Sequence, residues 1–253
     1  MRRLCHNDAM LRRFPLTGWT VALAFLVVLG GCHSTPPPTP APSNPASVKP
    51  GINDEFLKPD LNPDQWVERF EKEGREVFDQ RREIVAAVGL KPGFAVADIG
   101  AGTGLFTFPF ADAVGPTGRV YAVDISPALL AHLRRRAASY PAGQIQVVAG
   151  GEQDARLPEN SVNRIFICDT YHHFEYPMPM LASLHRALRR NGELVLVEFK
   201  RIPGVSSDWM MSHVRAGQDV FEREVIASGF RKVDEPILLK DNYVTRFRKE
   251  GNP

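Results

Sequence analysis

The chain has 253 residues, of which 43% are hydrophobic and 24% are charged. This composition is typical of a globular protein, and the length predicts one ordinary domain plus an accessory segment. The formal net charge is +2, but residues 1–31 carry four arginines and one aspartate, so the rest of the chain is close to neutral. Nucleic-acid binding requires a basic patch or stripe, and we therefore expect no nucleic-acid partner.

The first 32 residues have the pattern of an export signal. Four arginines precede a short apolar run at 21–29, which is followed by Gly30-Gly31-Cys32. A charged region, a short apolar region and small residues before a cleavage site make a secretory signal, and the run is too short to span a bilayer. Leu29-Gly30-Gly31-Cys32 resembles the bacterial lipobox, whose cysteine receives a diacylglyceryl group. The resemblance implies that Cys32 is lipidated.

We therefore predict that residues 1–31 are a lipoprotein signal peptide and that the mature protein is exported. A lipid anchor would hold it at the periplasmic face, with the outer membrane favoured because His33, not aspartate, follows the lipidated cysteine. If the signal is not used, the protein would stay in the cytoplasm. A start at Met10 would give a leader of more usual length.

If the leader is removed and Cys32 is lipidated, only Cys168 remains as a free cysteine, so no disulfide framework is expected.

Proline dominates the segment that follows the signal. Residues 33–50 contain seven prolines and one charged residue. This composition favours an extended, polyproline-like chain that cannot bury a core. We predict a proline-rich tether over residues 32–61.

From residue 62 the pattern predicts a folded domain. Asn62-Pro63-Asp64 is typical of a helix start. Apolar residues then recur at three- and four-residue steps, which predicts an amphipathic helical segment over 62–90 with a weak point at Gly74.

Short β-branched runs then alternate with helical stretches. Strands are predicted at 94–99, 119–124, 145–149, 164–168 and 194–199, and helices at 105–114, 127–139 and 178–190. This alternation predicts a parallel sheet with helices on both faces. The runs at 231–239 and 243–248 are close enough in sequence to pair antiparallel. Pro109 should kink its helix, and Asn191-Gly192 should stop the helix before it.

A glycine-rich loop joins the first predicted strand to the next helix. Residues 96–104 read V-A-D-I-G-A-G-T-G, and glycines let the backbone turn sharply and approach a ligand beside a helix N-terminus. The G-x-G-x-G spacing differs from the G-x-G-x-x-G of dinucleotide enzymes. Asp98 would repel a pyrophosphate and attract a cation, so a nicotinamide-dependent oxidoreductase is disfavoured.

This loop resembles motif I of the class I S-adenosylmethionine-dependent methyltransferases. Further segments resemble later family motifs in the correct order: 120–126, 151–158, 163–169, 191–197 and 228–230. The resemblance covers about residues 85–248. It implies an α/β, Rossmann-like fold over a domain at 91–250, with a mostly parallel seven-stranded sheet, helices on both faces and an antiparallel C-terminal hairpin.

The resemblance also implies the residues that bind S-adenosylmethionine. They are Asp98, Gly100, Ala101, Gly102, Thr103, Gly104, Asp124, Ile125, Gln153, Asp154 and Asp169. Asp124 would accept hydrogen bonds from both ribose hydroxyls, as a carboxylate can. Asp154, with Gln153 as second choice, would meet the adenine amine.

In this family the loop after strand four faces the methyl group and its acceptor. The catalytic candidates in that loop are His173, His172 and Tyr171. A base is needed only where the acceptor is protonated, and histidine is the usual one, with His173 slightly preferred. Alternatively, both histidines only pack against the cofactor. We predict no metal site from Asp169, His172, His173 and Glu175, because adjacent histidines on a turn rarely converge on one ion.

Two functions remain open. One is a methyltransferase that acts on a small-molecule acceptor; the other is a membrane-tethered binding module that keeps the fold without catalysis. Export favours the binding module, because S-adenosylmethionine is made in the cytoplasm and an exported enzyme would be separated from its supply. The acidic residues at 98, 124 and 154 favour a competent cofactor site, and we therefore favour the enzyme. Acceptor identity and oligomeric state do not follow from the fold.

Overall fold

The computed structural model describes residues 45–251. The predicted signal peptide, Cys32 and the first part of the predicted tether lie outside the described residues. Residues 45–251 belong to one compact unit. Within residues 45–251, no helix combines the length and apolar character that crossing a bilayer requires.

A seven-stranded sheet forms the centre of the domain. Its strands are β1 Ala95–Ile99, β2 Arg119–Asp124, β3 Ile145–Ala149, β4 Val162–Cys168, β5 Leu188–Phe199, β6 Phe230–Asp234 and β7 Asn242–Lys249. The strand order is β3-β2-β1-β4-β5-β7-β6. Strands β1 to β5 run parallel, whereas β7 lies antiparallel to both β5 and β6. The predicted Rossmann-like fold class with an antiparallel C-terminal hairpin is confirmed.

Helices cover both faces of this sheet. They are α1 Pro63–Phe70, α2 Glu76–Asp79, α3 Arg81–Val88, α4 Thr107–Val114, α5 Pro127–Ala137, α6 Pro177–Ala187, α7 Asp208–His213 and α8 Gln218–Ala227. One apolar core contains residues of α6 and α8, and a second contains residues of α3 and α4. Every residue of β1 is buried, as expected for a parallel strand with both faces covered.

Local sequence features explain where several helices begin. The Asn62 side chain accepts the backbone N–H of Asp64 at 3.0 Å and caps α1. Ser126 caps α5. The predicted helical segment over 62–90 is three helices, with Gly74 in the first break at a positive φ of 86°.

Two predictions about helix geometry are wrong. Helix α4 begins at Thr107, so Pro109 lies in its first turn. A proline there removes no intrahelical hydrogen bond, and the expected kink has no cause. Asn191-Gly192 does not stop a helix, because α6 ends at Ala187 and the chain pairs with β4 from Leu188. Asn191, at a φ of 62°, lies where the register of that pairing shifts.

Residues 47–56 are not part of an extended tether, although the tether was predicted over residues 32–61. Val48 donates its backbone N–H to the Glu175 carbonyl at 2.9 Å, and the Asn53 amide donates to the His173 carbonyl at 3.1 Å. Phe56 packs against Trp66 with ring centroids 4.7 Å apart. These residues pack on the domain because they supply apolar and hydrogen-bonding side chains that the upstream prolines lack.

The strand order reverses between β1 and β4, whose carboxyl ends lie side by side. In open α/β sheets a crevice forms at this point, outside the strand ends, and ligands bind in it. The topology therefore predicts the location of the site.

Candidate functional site

A cavity of about 400 Å³ opens at the carboxyl ends of β1, β2 and β4. Its walls come from loops at 100–103, 150–152 and 168–174, and from α7. Residues 47–75, called the N-terminal segment below, form the remaining wall. Predicted site residues that line it are Asp98, Gly100, Ala101, Gly102, Thr103, Asp124, Ile125, Asp169, His172 and His173. The structure thus brings together most of the residues chosen from the sequence.

The glycine loop forms the floor of the cavity. Gly100 has a φ of 70°, and a Cβ there would lie 2.3 Å from the Thr170 side chain, so only glycine fits. The Thr103 hydroxyl is buried without a hydrogen-bond partner among the described residues. Gly104 does not line the cavity; a Cβ there would lie 2.3 Å from the Phe108 ring. Gly104 therefore serves helix packing, and its contact with the cofactor stays a prediction.

Asp98 and Asp124 place two buried carboxylates beside this loop. Thr107 Oγ1 donates to Asp98 at 2.6 Å, and the backbone N–H groups of Gly102 and Ser126 each donate to Asp124 at 2.8 Å. Burial raises the pKa of Asp98 to about 7, with the nearby Asp124 carboxylate adding to the effect. Burial also raises the pKa of Asp124.

These two carboxylates fit a cationic ligand. Neither forms an ion pair with a lysine or arginine of the described chain, although both are buried. A buried charge without a partner is costly, and each carboxylate oxygen has lone pairs beyond those already used. The pair would be compensated by a ligand that brings positive charge and hydroxyl donors.

Asp154 and Gln153 lie outside the cavity, contrary to the prediction that one of them meets the adenine. The Asp154 carboxylate is half exposed and pairs with Arg186 at 3.1 Å, while also accepting the Arg156 backbone N–H. The chain turns between Gly151 and Asp154 through a backbone hydrogen bond of 2.8 Å. This turn points Glu152 at the cavity instead.

Asp169 lines the cavity but is already engaged. Its carboxylate accepts hydrogen bonds from Arg75 at 2.6 Å and from the Asn242 side chain at 2.7 Å. Burial raises its pKa to about 6, and the Arg75 guanidinium opposes that rise. Asp169 thereby ties the end of β4 to the N-terminal segment and to β7.

His172 is held rigidly by a buried acid. Its Nδ1 lies 2.8 Å from a carboxylate oxygen of Glu198, which also accepts the His172 backbone N–H at 3.2 Å. Both side chains are almost fully buried. With Nδ1 engaged, Nε2 is the ring nitrogen of His172 that remains available to a ligand.

His173 is poorly suited to accept a proton, although the sequence made it the preferred base. Burial lowers its pKa to about 2, and the neighbouring His172 and His213 rings contribute. The ring centroids of His173 and His172 lie 4.3 Å apart. A base whose pKa lies far below the working pH is weak.

Tyr171 does not face the cavity. Its side chain is fully buried in the core under α8, where its hydroxyl donates to Glu224 at 2.8 Å. Burial and the Glu224 carboxylate raise its pKa well above the usual tyrosine value. The structure therefore removes Tyr171 from the catalytic candidates.

The N-terminal segment closes one side of the cavity. Ile52, Phe56, Trp66 and Phe70 all line it, and the Trp66 and Phe70 rings lie 5.0 Å apart. A Cβ on Gly102 would meet the Phe70 ring at 3.7 Å, so Phe70 packs directly over the glycine loop.

Sequence reasoning passed over three groups of lining or supporting residues. Glu198 carried a usable signal, because an acid that ends an otherwise apolar strand must find a buried partner. Arg75 reaches the site only through long-range packing. Phe56 was not selected because it lies within residues 32–61, which were predicted to be an extended tether.

Comparisons with known proteins agree with this geometry. Residues 96–192 match the family model described as a methyltransferase domain. Over 125 residues the chain is 33% identical to the ubiquinone/menaquinone biosynthesis C-methyltransferase UbiE of Ectopseudomonas mendocina, covering 49% of this chain and 48% of that relative. The enzyme of the same name from Burkholderia orbicola is 29% identical over 118 residues, or 47% and 48% of the two chains. The match thus spans about half the length of these relatives.

A solved structure of an S-adenosylmethionine-dependent methyltransferase from Aquifex aeolicus has the same fold. It aligns with a TM-score of 0.65 at 22% identity, covering 74% of this chain and 98% of that one. Together the matches support the resemblance to class I methyltransferases and imply S-adenosylmethionine as the cofactor.

Proposed function

We propose that this protein is an S-adenosylmethionine-dependent methyltransferase that acts on a small-molecule acceptor. The observation that carries the proposal is the pair of buried carboxylates, Asp98 and Asp124, which flank a glycine loop without a cationic partner in the described chain. The cofactor, when bound, supplies an activated methyl group on a positively charged sulfur. The matched methyltransferase domain covers both carboxylates.

The chain's own residues divide the work between two ends of the cavity. At the cofactor end, the glycine loop, Asp98 and Asp124 would hold the amino acid and ribose parts. Phe70 and Trp66, which close one side of the cavity over the glycine loop, exclude water. His172, oriented by Glu198, presents a ring nitrogen to the acceptor. Such positioning supplies much of the rate in a transfer between two bound molecules.

We propose an aromatic or lipid-soluble acceptor. The acceptor end is lined by aromatic side chains, namely Phe56, Phe174, Phe199 and Trp209. Flat apolar walls of this kind favour a ring or an apolar chain over a highly charged substrate. The two curated relatives are named for ubiquinone and menaquinone biosynthesis, which supports the same chemical class.

A non-catalytic binding module is less well supported. Such a module needs only the cofactor end, whereas this cavity continues past it to a buried histidine held by a carboxylate. Burial of a carboxylate such as that of Glu198 is costly, and the orientation of His172 toward a ligand gives this burial a function.

Calorimetry on the purified full chain tests the cofactor, and a methyl-transfer assay tests the enzyme. We expect S-adenosylmethionine and S-adenosylhomocysteine to bind with one site per chain. Incubation with methyl-labelled cofactor and a bacterial lipid extract should move label into the extract. Absence of binding contradicts the proposal; binding with no transfer to lipid or aqueous extracts supports the non-catalytic module.

We also propose that the protein is an exported lipoprotein anchored through Cys32, because Leu29–Cys32 matches a lipobox and follows a secretory pattern. Stable anchoring by acyl chains takes at least two chains. Wild-type protein should incorporate labelled palmitate and fractionate with membranes, whereas Cys32→Ser should take up none and persist as an uncleaved precursor. Unlabelled wild-type protein recovered from the cytoplasm would contradict this proposal.

A further inference from the structure

Three histidines meet at the acceptor end of the cavity. His172 and His173 lie in a 3₁₀ turn after β4, and His213 ends α7. The ring centroid of His213 lies 5.0 Å from that of His172 and 5.2 Å from that of His173. One ring nitrogen from each residue lies within 4.8 Å of the other two. All three side chains line the same cavity.

The surroundings of the cluster resemble those of a metal ligand set. Ligating histidines commonly donate their second nitrogen to a carboxylate, which fixes the ring and its tautomer. Glu198 makes this contact with His172 at 2.8 Å and is itself fully buried. The Nδ1 atom of His173 is buried with no hydrogen-bond partner among the described residues. A buried polar atom without a partner requires an explanation, and packing of aromatic rings does not provide one.

The residues around His213 position it toward the other two rings. Trp209 stacks on its ring with centroids 4.7 Å apart and planes 17° from parallel. Lys49 Nζ donates to the backbone carbonyls of Ser212 and His213. The N-terminal segment therefore fixes the end of α7 against the cavity.

We propose, against the expectation from the sequence that the adjacent histidines hold no metal, that His172, His173 and His213 bind a first-row divalent cation, with zinc the best fit, beside the methyl-transfer site. Three imidazoles and one open position are the ligand set of a catalytic zinc site. Nitrogen ligands in a tetrahedral zinc site lie about 3.4 Å apart, so side-chain rotations that bring the rings up to about 1.4 Å closer complete it.

Because the three histidines line the cavity, a fourth position on the cation would be open to an oxygen of the acceptor. This part of the inference rests on the proposed methyltransferase function, and it names an acceptor that carries a hydroxyl or enol oxygen near the carbon or oxygen to be methylated. His172 is then a metal ligand through Nε2, and the cation replaces it as the group that holds the acceptor oxygen.

Metal binding can be measured without any methyl transfer. The purified full chain is stripped with a chelator and dialysed. It is then titrated with Zn²⁺ against a chromophoric competitor, and with Co²⁺ while visible absorption is recorded. We expect one site per chain and a Co²⁺ spectrum typical of four- or five-coordinate nitrogen and oxygen ligands.

Matched variants locate the site. His213→Ala and His172→Ala should each weaken Zn²⁺ binding at least about 100-fold, whereas His185→Ala, a histidine outside the cluster that contacts the Glu250 carbonyl, should not change it. His213 is only partly buried at the end of a short helix, so its replacement is expected to leave the fold intact.

Two results would overturn the inference. The first is wild-type protein that binds no Zn²⁺ or Co²⁺ while it still binds S-adenosylmethionine. The second is Zn²⁺ binding that His213→Ala leaves unchanged. Failure of cofactor binding, with Zn²⁺ bound through the three histidines, would instead contradict the proposed methyltransferase and leave the metal site standing.

Discussion

The two ends of the cavity are built in different ways. The cofactor end comes mainly from one continuous stretch, residues 98–107, together with the end of β2. The acceptor end combines residues 52–70, the turn after β4, the last residues of β5, and α7. A strand–loop–helix unit folds locally and is recognisable as a motif. A site assembled from four distant segments is not, and it is free to change while the cofactor end is kept.

The largest expected effect is at the acceptor end, where replacement of His172 should lower methyl transfer but leave cofactor binding unchanged. His172→Ala should lower methyl transfer roughly 100-fold or more, the usual size for a lost proton-handling or substrate-orienting group. S-Adenosylmethionine affinity should stay within about twofold. Labelled methyl transfer and calorimetry measure the two quantities. Glu198→Gln keeps the size of the buried acid and should give the same split, and a melting curve for each variant establishes that it folds. A parallel loss of cofactor affinity would show that the two ends are not separable.

A smaller effect is expected at the cofactor end. Asp124→Ala should weaken S-adenosylmethionine binding by about 1.5–3 kcal/mol, the range for hydrogen bonds to a charged group. This loss corresponds to roughly 10- to 150-fold in the dissociation constant. The control is Asp154→Ala, which the sequence placed at the adenine and the structure pairs with Arg186 on the surface. Calorimetry should find that variant unchanged, and equal losses in both would reinstate the sequence-based assignment.

The raised pKa of Asp98 predicts a pH dependence of cofactor binding. With its pKa near 7, Asp98 is mostly protonated at pH 6 and mostly ionised at pH 8 in the ligand-free protein. A cationic ligand favours the ionised form, so affinity should fall about tenfold between pH 8 and pH 6. The comparison with Asp98→Asn isolates this contribution, since the variant should bind more weakly at pH 8 and lose that tenfold slope.

The raised pKa of Asp98 has the opposite effect on stability: as the pH rises, cofactor affinity should increase while the free energy of unfolding decreases. The folded-state pKa of Asp98 lies above the ordinary value, so ionisation destabilises the ligand-free fold as the pH rises from about 4 to 7. Denaturant unfolding of wild type and Asp98→Asn over this range should diverge, with the variant losing less stability. If the free energies of unfolding of the two proteins changed in parallel with pH, ionisation of Asp98 would not destabilise the fold.

The smallest effect concerns the N-terminal segment at the acceptor end. Glu175 accepts hydrogen bonds from the Ser47 hydroxyl at 2.5 Å and from the Gly51 backbone N–H at 3.1 Å. Glu175→Gln should weaken this attachment by about 1 kcal/mol, which corresponds to roughly fivefold faster proteolysis within residues 45–56. Mass spectrometry of the digest locates the cuts. Glu159→Gln, at an exposed site, should leave the digestion rate unchanged.

The fold could be predicted because its information is local and periodic. Strands β2 and β3 have the predicted bounds, and the antiparallel C-terminal pair followed from two runs separated by a short connection. Helix ends were less predictable. Residues 188–190 read as helix, yet their pairing with β4 draws them into β5, because hydrogen bonding to a neighbouring strand outweighs weak helix propensity.

The sequence alone determined the central part of the cofactor end: a strand, a glycine loop and two acids whose spacing already specifies a local turn and its charge. Only the tertiary structure decided the acceptor end. It turned Tyr171 into the core. At the cofactor end too, it directed Glu152 instead of Asp154 to the cavity. It also placed His213 beside a histidine pair some forty positions earlier. The physical reason is that side-chain direction in loops is set by long-range packing and hydrogen bonds, and sequence spacing does not encode these.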